Sequence, residues 1–216
     1  MNKINPLVKI KHSQRLFENQ FKYKAVVVCP GGHWFRGKNL DYAQEMLDDW
    51  NKGGLQKNQW LNIKSDADYQ YCSSLLKILK KTTDFYLRIE HPLLSFYSNN
   101  YDDIVAVANL DVKKTKYVAE PPVNTNITQG EIILKRIDFD FKVTVGATRQ
   151  NFTNFVQWSE NSKKVKMTKS CKIALLKDRS WGGSYFYVKD EQTLMLVKMF
   201  IGSEMARIDK VIKATK

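Results

Sequence analysis

The sequence predicts an α+β fold of two tandem β-α-β-β-α-β modules, on three observations. Ser95-Phe96-Tyr97-Ser98-Asn99-Asn100, leading into Ile104, Val107 and Leu110, reappears as Tyr185-Phe186-Tyr187-Val188-Lys189-Asp190, leading into Leu194, Val197 and Phe200. Each copy is an aromatic strand, a polar helix-start residue and apolar positions at helical spacing. Upstream of each lies a second matching pair, Phe21-Lys22-Tyr23-Lys24-Ala25-Val26 and Phe139-Asp140-Phe141-Lys142-Val143-Thr144. Between the halves, Pro121-Pro122 and Asn124–Gly130 disfavour both helix and strand pairing and read as a linker.

Residues 1–20 read as a polar, basic arm with one strand at Leu7–Lys11. Phe21–Cys29 alternates and then runs apolar, as a buried strand does, until Pro30-Gly31-Gly32 breaks it. Asn39 is positioned to cap a helix whose Leu40, Ala43, Leu47 and Trp50 share one face, with Gly53-Gly54 as its stop. Leu55–Tyr71 reads as an irregular insertion and Ser73–Thr83 as an extra helix. Strands Phe85–Glu90 and Leu93–Ser98 follow, then a helix at Tyr101–Leu110 and a strand near Lys116–Ala119. In the second half, Ile132–Val145 reads as two strands or one bent strand. Thr148 is the expected cap of a helix Arg149–Asn161, Lys164–Leu176 an expected hairpin, Tyr185–Val188 a strand, and Asp190 the cap of the last long helix. Arg207–Lys213 closes the module as a strand or a final helical turn. This is the ferredoxin-like order, with antiparallel sheets and helices on one face. It places the first module, with its arm and a 55–84 insertion, at residues 1–122 and the second at 123–216.

Composition narrows the partner class. The chain has 216 residues and a formal charge of +13. Residues 1–120 carry 18 basic and 13 acidic side chains, and residues 121–216 carry 17 and 9. Such an excess favours polyanions, nucleic acid first. With 28 Lys against 7 Arg, the contacts expected are point charges on phosphate rather than base-edge readout. No apolar run approaches a membrane-spanning length and Met1–Pro6 lacks a leader's apolar block, so an intracellular, soluble protein with no membrane role is expected. Cys29, Cys72 and Cys171 are widely spaced and odd in number, which disfavours a disulfide framework or a zinc site. No metal or cofactor is expected.

Side chains alternate between the faces of a strand. If helices cover one face, Phe21, Tyr23, Ala25, Val27, Phe85, Leu87, Ile89, Leu94 and Phe96 point to them in the first module, as do Phe139, Phe141, Val143, Val165, Met167 and Phe186 in the second. The uncovered faces then show Lys22, Lys24, Tyr86, Arg88 and Tyr97, and Lys142, Lys164, Lys166, Tyr185 and Tyr187. Tyrosines among cations suit base stacking and phosphate neutralisation. At fold level this resembles RNA-recognition-motif domains, although Gly183–Val188 does not reproduce their third-strand aromatic spacing. Tandem modules also occur in CRISPR repeat-RNA endonucleases, similar in size and basicity, whose long glycine-rich loop Gly182-Gly183 does not match.

The loop Cys29–Lys38 collects three glycines, His33, Arg36 and Lys38 before a helix, an arrangement suited to an anion, and Gly146-Ala147-Thr148-Arg149 stands at the same place in the second half. It has neither the G-K-[ST] ending of a phosphate-binding loop nor the G-x-G-x-x-G pattern. Lys163-Lys164-Val165-Lys166, Lys169, Lys172 and Lys177 span 15 residues without an acid. The expectation is a non-enzymatic protein binding single-stranded or structured RNA or DNA. A protein–protein interaction or assembly factor, for instance a viral or accessory one, is the alternative. The third is a metal-free ribonuclease using His33 as proton shuttle.

Overall fold

A computed structural model describes residues 3–53, 63–123 and 125–213. Gly54 and residues 55–62, the start of the expected insertion, lie outside the described residues. The chain divides into two compact units, Met1–Asn126 and Ile127–Lys216, each α+β with its own five-stranded sheet.

The first unit runs β1 (Ile10–His12), β2 (Tyr23–Val28), a 3-10 turn Gly32–Lys38, α1 (Leu40–Asn51), α2 (Asp66–Lys81), β3 (Phe85–Glu90), β4 (Leu93–Ser98), α3 (Tyr101–Leu110) and β5 (Thr115–Glu120). Asn39 caps α1 as expected, its side chain accepting from the Tyr42 amide at 3.0 Å. Helix α2 starts seven residues before the expected Ser73. The missed signal is Ser65, which accepts from the Asp68 amide at 3.2 Å, with Asp66 and Asp68 favourably placed at the positive end of the helix dipole. The strand order is β1-β5-β2-β4-β3. The three pairs among β5, β2, β4 and β3 are antiparallel, whereas β1 lies parallel to β5 with Ile10 beside Val118.

The helices pack on one face of this sheet. Ala25, Val27, Leu87, Leu94, Phe96 and Val118 of the strands form one buried cluster with Leu47 of α1, Leu75 and Leu79 of α2, and Ile104 and Val107 of α3.

The second unit repeats the plan. It contains β6 (Glu131–Leu134), β7 (Phe141–Val145), α4 (Thr153–Glu160), β8 (Val165–Met167), α5 (Lys169–Leu175), β9 (Tyr185–Val188), α6 (Glu191–Ile201) and β10 (Met205–Lys213). Its order, β6-β10-β7-β9-β8, is the first sheet's order position for position, again with the leading strand parallel and the rest antiparallel. Both sheets are therefore mixed rather than purely antiparallel. The reason is the same in each: the last strand would otherwise be an edge of unpaired N–H and C=O groups, and an upstream segment pairs with it. Val143, Val165 and Phe186 pack with Phe155, Leu175, Leu194 and Val197 on the helix side.

Two local expectations are corrected in the second unit. Thr148 caps no helix: α4 begins at Thr153, and Thr148 exchanges backbone hydrogen bonds with Ser180 at 2.9 and 3.0 Å while its buried hydroxyl finds no partner among the described residues. The expected hairpin Lys164–Leu176 is a three-residue strand followed by α5. Thr168 caps that helix by accepting from the Cys171 amide, and Cys171 and Leu175, one turn apart, are its buried positions.

The Thr148–Ser180 pairing brings two loops against each other at Gly182, which has φ +80°. A Cβ there would fall 2.5 Å from the Gly146 carbonyl carbon and 2.6 Å from the Ala147 nitrogen. Gly182→Ala is expected to destabilise this unit by about 2 kcal/mol, read as a lowered thermal midpoint.

Acid should also weaken the second unit. Asp138 accepts from Lys189 at 2.6 Å and from Lys213 at 3.0 Å, which holds its carboxyl down at about 2. The Thr193 amide and hydroxyl, with Lys164, hold Asp190 at about 2 as well. Both lie below the unfolded carboxylate value of about 3.9, so their stabilisation is present above that value and lost as pH falls through about 2. The denaturant midpoint of the second unit should be level from pH 7 to 5 and decline below about 4, with a smaller decline in Asp138→Asn.

Candidate nucleic-acid interface

The sheet face turned away from the helices is not open in the first unit. Tyr97 on β4 is only 2% exposed, and Val26, Ser95 and Ala119 are buried without belonging to the helix-side cluster. A β-bridge between Phe17 and Phe21 folds the arm so that both rings meet Tyr97, at 5.8 and 6.3 Å. Phe21, expected on the helix side, thus lies on the other one, because it precedes β2 and escapes the strand's alternation. It also stacks on Tyr86, which stays 39% exposed.

The cations of this face are engaged by the unit itself. Lys24 lies 5.1 Å from the Tyr97 ring and 5.9 Å from Tyr117, and Lys11 sits 3.6 Å over Tyr117. Arg88 pairs with Glu90 and with Glu18 of the arm. Lys22 reaches the Asn126 side chain at 3.4 Å.

The second unit shows the same arrangement. Tyr187 is 9% exposed and meets Phe139, also expected on the helix side, at 6.3 Å. Lys142 faces Tyr187 in register, as Lys24 faces Tyr97, and lies 4.1 Å over the half-buried Tyr185 ring. Asp209, opposite Lys142 on β10, is 2% exposed and accepts from Arg207 Nε at 2.9 Å. An acid here escaped the sequence reading, which assigned no face to the last strand. Lys164 pairs with Asp190 at 3.0 Å, leaving Lys166 on edge strand β8 exposed and without a carboxylate partner among the described residues.

The glycine loop is likewise occupied by its own side chains. Trp34 and Phe35 are fully buried, and a Cβ on Gly31 would meet the Trp34 ring and the Cys72 sulfur at 3.0–3.1 Å. The space that suited an anion is filled by an indole. Arg36 and Lys38 are exposed, with Lys38 Nζ 4.8 Å over Phe85. His33 has its Nε2 enclosed without a hydrogen-bond partner among the described residues, and burial, then His91 and Arg36, push its pKa below the usual value. Among the described residues no three His, Cys, Asp or Glu side chains cluster as a metal site, and no helix is long and apolar enough to cross a membrane.

The acid-free run of the second unit stays largely solvent-facing, although exposed cations also occur elsewhere, among them Lys9, Arg15, Lys77, Lys81, Lys113 and Lys116 of the first unit. Lys163, Lys166, Lys169, Lys177 and Arg179 are exposed along β8, α5 and the following loop. Arg149 is exposed on the loop that Thr148 pairs with Ser180. None of the six has a carboxylate partner among the described residues; of the lysines in the acid-free run, only Lys164 and Lys172 do.

No protein family, curated protein or solved structure matches this chain.

At the end of the segment stands Trp181, 87% exposed, with the Arg179 guanidinium 5.2 Å from its ring centroid. No expectation drawn from the sequence gave Trp181 a role. Its signal was an indole two residues after an arginine and immediately before two glycines.

Proposed function

We propose that each unit is a ferredoxin-like module extended by one parallel strand, and that the chain binds single-stranded or structured RNA or DNA without catalysing a reaction. The strand order 4-1-3-2 of the core strands, repeated in both sheets, supports the first part. The second rests on one observation: six exposed cations without acid partners among the described residues lie on β8, α5 and the adjoining loops of a unit that carries 17 basic and 9 acidic side chains. Unneutralised charge of one sign attracts the polyanion whose counterions it displaces. Contacts are to phosphate, since lysine dominates the set. The binding surface in this reading is the β8–α5 segment with Arg149 and Lys166, and not the tyrosine-bearing sheet faces.

The test is fluorescence anisotropy of a labelled 20-nucleotide single strand with nuclease-treated protein. Saturable binding at low salt supports the reading, and absence of binding at 50 mM salt overturns it.

A second reading, protein–protein association, is favoured by one surface. Helix α6 buries Leu194, Val197 and Ile201 yet exposes Met195, Leu196, Met199 and Phe200, with Phe200 5.2 Å from the Trp158 ring of α4. Helices that are apolar all round are normally covered. Association that survives nuclease digestion and is lost in Met199→Asp favours this reading.

A further inference from the structure

We infer that Trp181 is the stacking platform for one unpaired nucleobase, with Arg179 and Arg149 holding the phosphates that flank it; this rests on the nucleic-acid reading above. Three observations point to it. The first is exposure: at 87%, Trp181 shows more of itself than any other large apolar side chain among the described residues. Tryptophan is ordinarily well covered, and an exposed indole with the Arg179 guanidinium beside it offers a flat π-face in a cationic setting.

The second observation is that the platform is held in place. Thr148 and Ser180 exchange two backbone hydrogen bonds, the Gly183 amide donates to the Val145 carbonyl at 2.9 Å, and Gly182 sits in backbone contact with Gly146 and Ala147. The loop bearing Trp181 is thereby stitched to the end of β7. A ring displayed on such a support needs little ordering when a base arrives.

The third is the charge gathered beside Arg179, the residue that lies against the ring. Arg149, Asp178 and Arg179 line one shallow hollow. Asp178 already accepts from the Asn151 side chain at 2.8 Å, and neither arginine has a carboxylate partner among the described residues. The acid-free lysine run leads directly into this hollow along the chain. A strand tracking those lysines brings its next base to the indole. The base must be unpaired, because a base paired inside a duplex has both faces already stacked on its neighbours. Stacking reads a π-face that every base has, so the site favours single strands without fixing their sequence.

The test compares wild type, Trp181→Ala, Trp181→Phe, Arg149→Gln and Arg179→Gln in the full chain, with a labelled dT20 strand and a 20-base-pair duplex. Trp181→Ala should weaken dT20 binding roughly 10- to 100-fold, with Trp181→Phe staying close to wild type. Duplex binding should be unchanged in both. Each arginine variant should lower the steepness of the salt dependence for dT20 by about 0.7. The tryptophan emission that wild type has and Trp181→Phe lacks should be quenched at saturating dT20. Because Trp181 is exposed, thermal midpoints should not move. Wild type that binds dT20 equally well as Trp181→Ala overturns the platform and leaves the nucleic-acid reading standing. Equal losses on strand and duplex also overturn it. Wild type that binds neither probe overturns the broader reading, and the platform with it.

Discussion

Raising monovalent salt from about 50 to 200 mM is expected to weaken binding of a single strand by roughly 300-fold, the outcome of about six phosphate contacts at a slope near −0.7 each. Six is the number of exposed cations on the β8–α5 segment and its adjoining loops without an acid partner among the described residues: Arg149, Lys163, Lys166, Lys169, Lys177 and Arg179. Replacing the four lysines together by glutamine should flatten the log–log slope from about −4 to about −1.5. The four side chains are exposed, so the fold should tolerate the change within about 0.5 kcal/mol each. A slope that stays near −4 in this variant places the phosphate contacts elsewhere, and an almost flat wild-type response removes them altogether. Lys164 and Lys172 serve as internal controls: each already spends its charge on an acid, Asp190 and Glu160, so replacing them should alter the slope less.

Tyr97→Ala is expected to destabilise the first unit by about 3–4 kcal/mol, in the range for removal of a buried aromatic ring. The ring is 2% exposed and meets Phe17, Phe21 and Tyr86, with Lys24 over it. Its loss leaves a cavity under the folded arm. Tyr97→Phe keeps the ring contacts and should cost under about 1 kcal/mol. Denaturant unfolding of the three proteins checks this, provided binding is measured only where the first unit remains folded. An alanine variant as stable as wild type would show that the ring is not enclosed. The contrast with Trp181 is direct: one aromatic is expected to change stability and leave the interface intact, the other to do the reverse.

Much of the architecture was legible because it depends on local chemistry. Asn39, Asn100 and Asp190 each announce a helix start by side-chain capping, and each does cap: their oxygens accept from Tyr42, Asp102 and Thr193. The aromatic echo placed β4 and β9, and with them Tyr97 and Tyr187, at equivalent positions of two sheets. Illegible were events set by distant parts of the chain. Nothing near Tyr97 says that Phe17 will fold back over it, because that contact spans 80 residues and depends on the arm's turn at Glu18 and Asn19, both with positive φ. Thr148 reads as a helix cap in its own neighbourhood, yet it pairs with Ser180 from another loop. The lysine and apolar alternation at 164–167 carried a strand reading past Thr168, whose hydroxyl starts a helix instead. Composition counts aromatics without counting what covers them, so Tyr97 and Tyr187 read as ligands. A lone aromatic such as Trp181 has no period to mark it.

The leading strands β1 and β6 carry a consequence for anyone dividing this chain. Each shields the flank of its own sheet from a position upstream of the core elements, so the protective piece travels with the unit only if the cut is made early enough. A fragment opened at Phe139 would keep every hydrophobic contact around Phe186 yet leave the outer side of β10 bare. That side is a row of amides and carbonyls ready to zip onto another molecule. Opening at Ile127 takes the guard strand along, which makes the boundary a matter of colloidal behaviour more than of core stability.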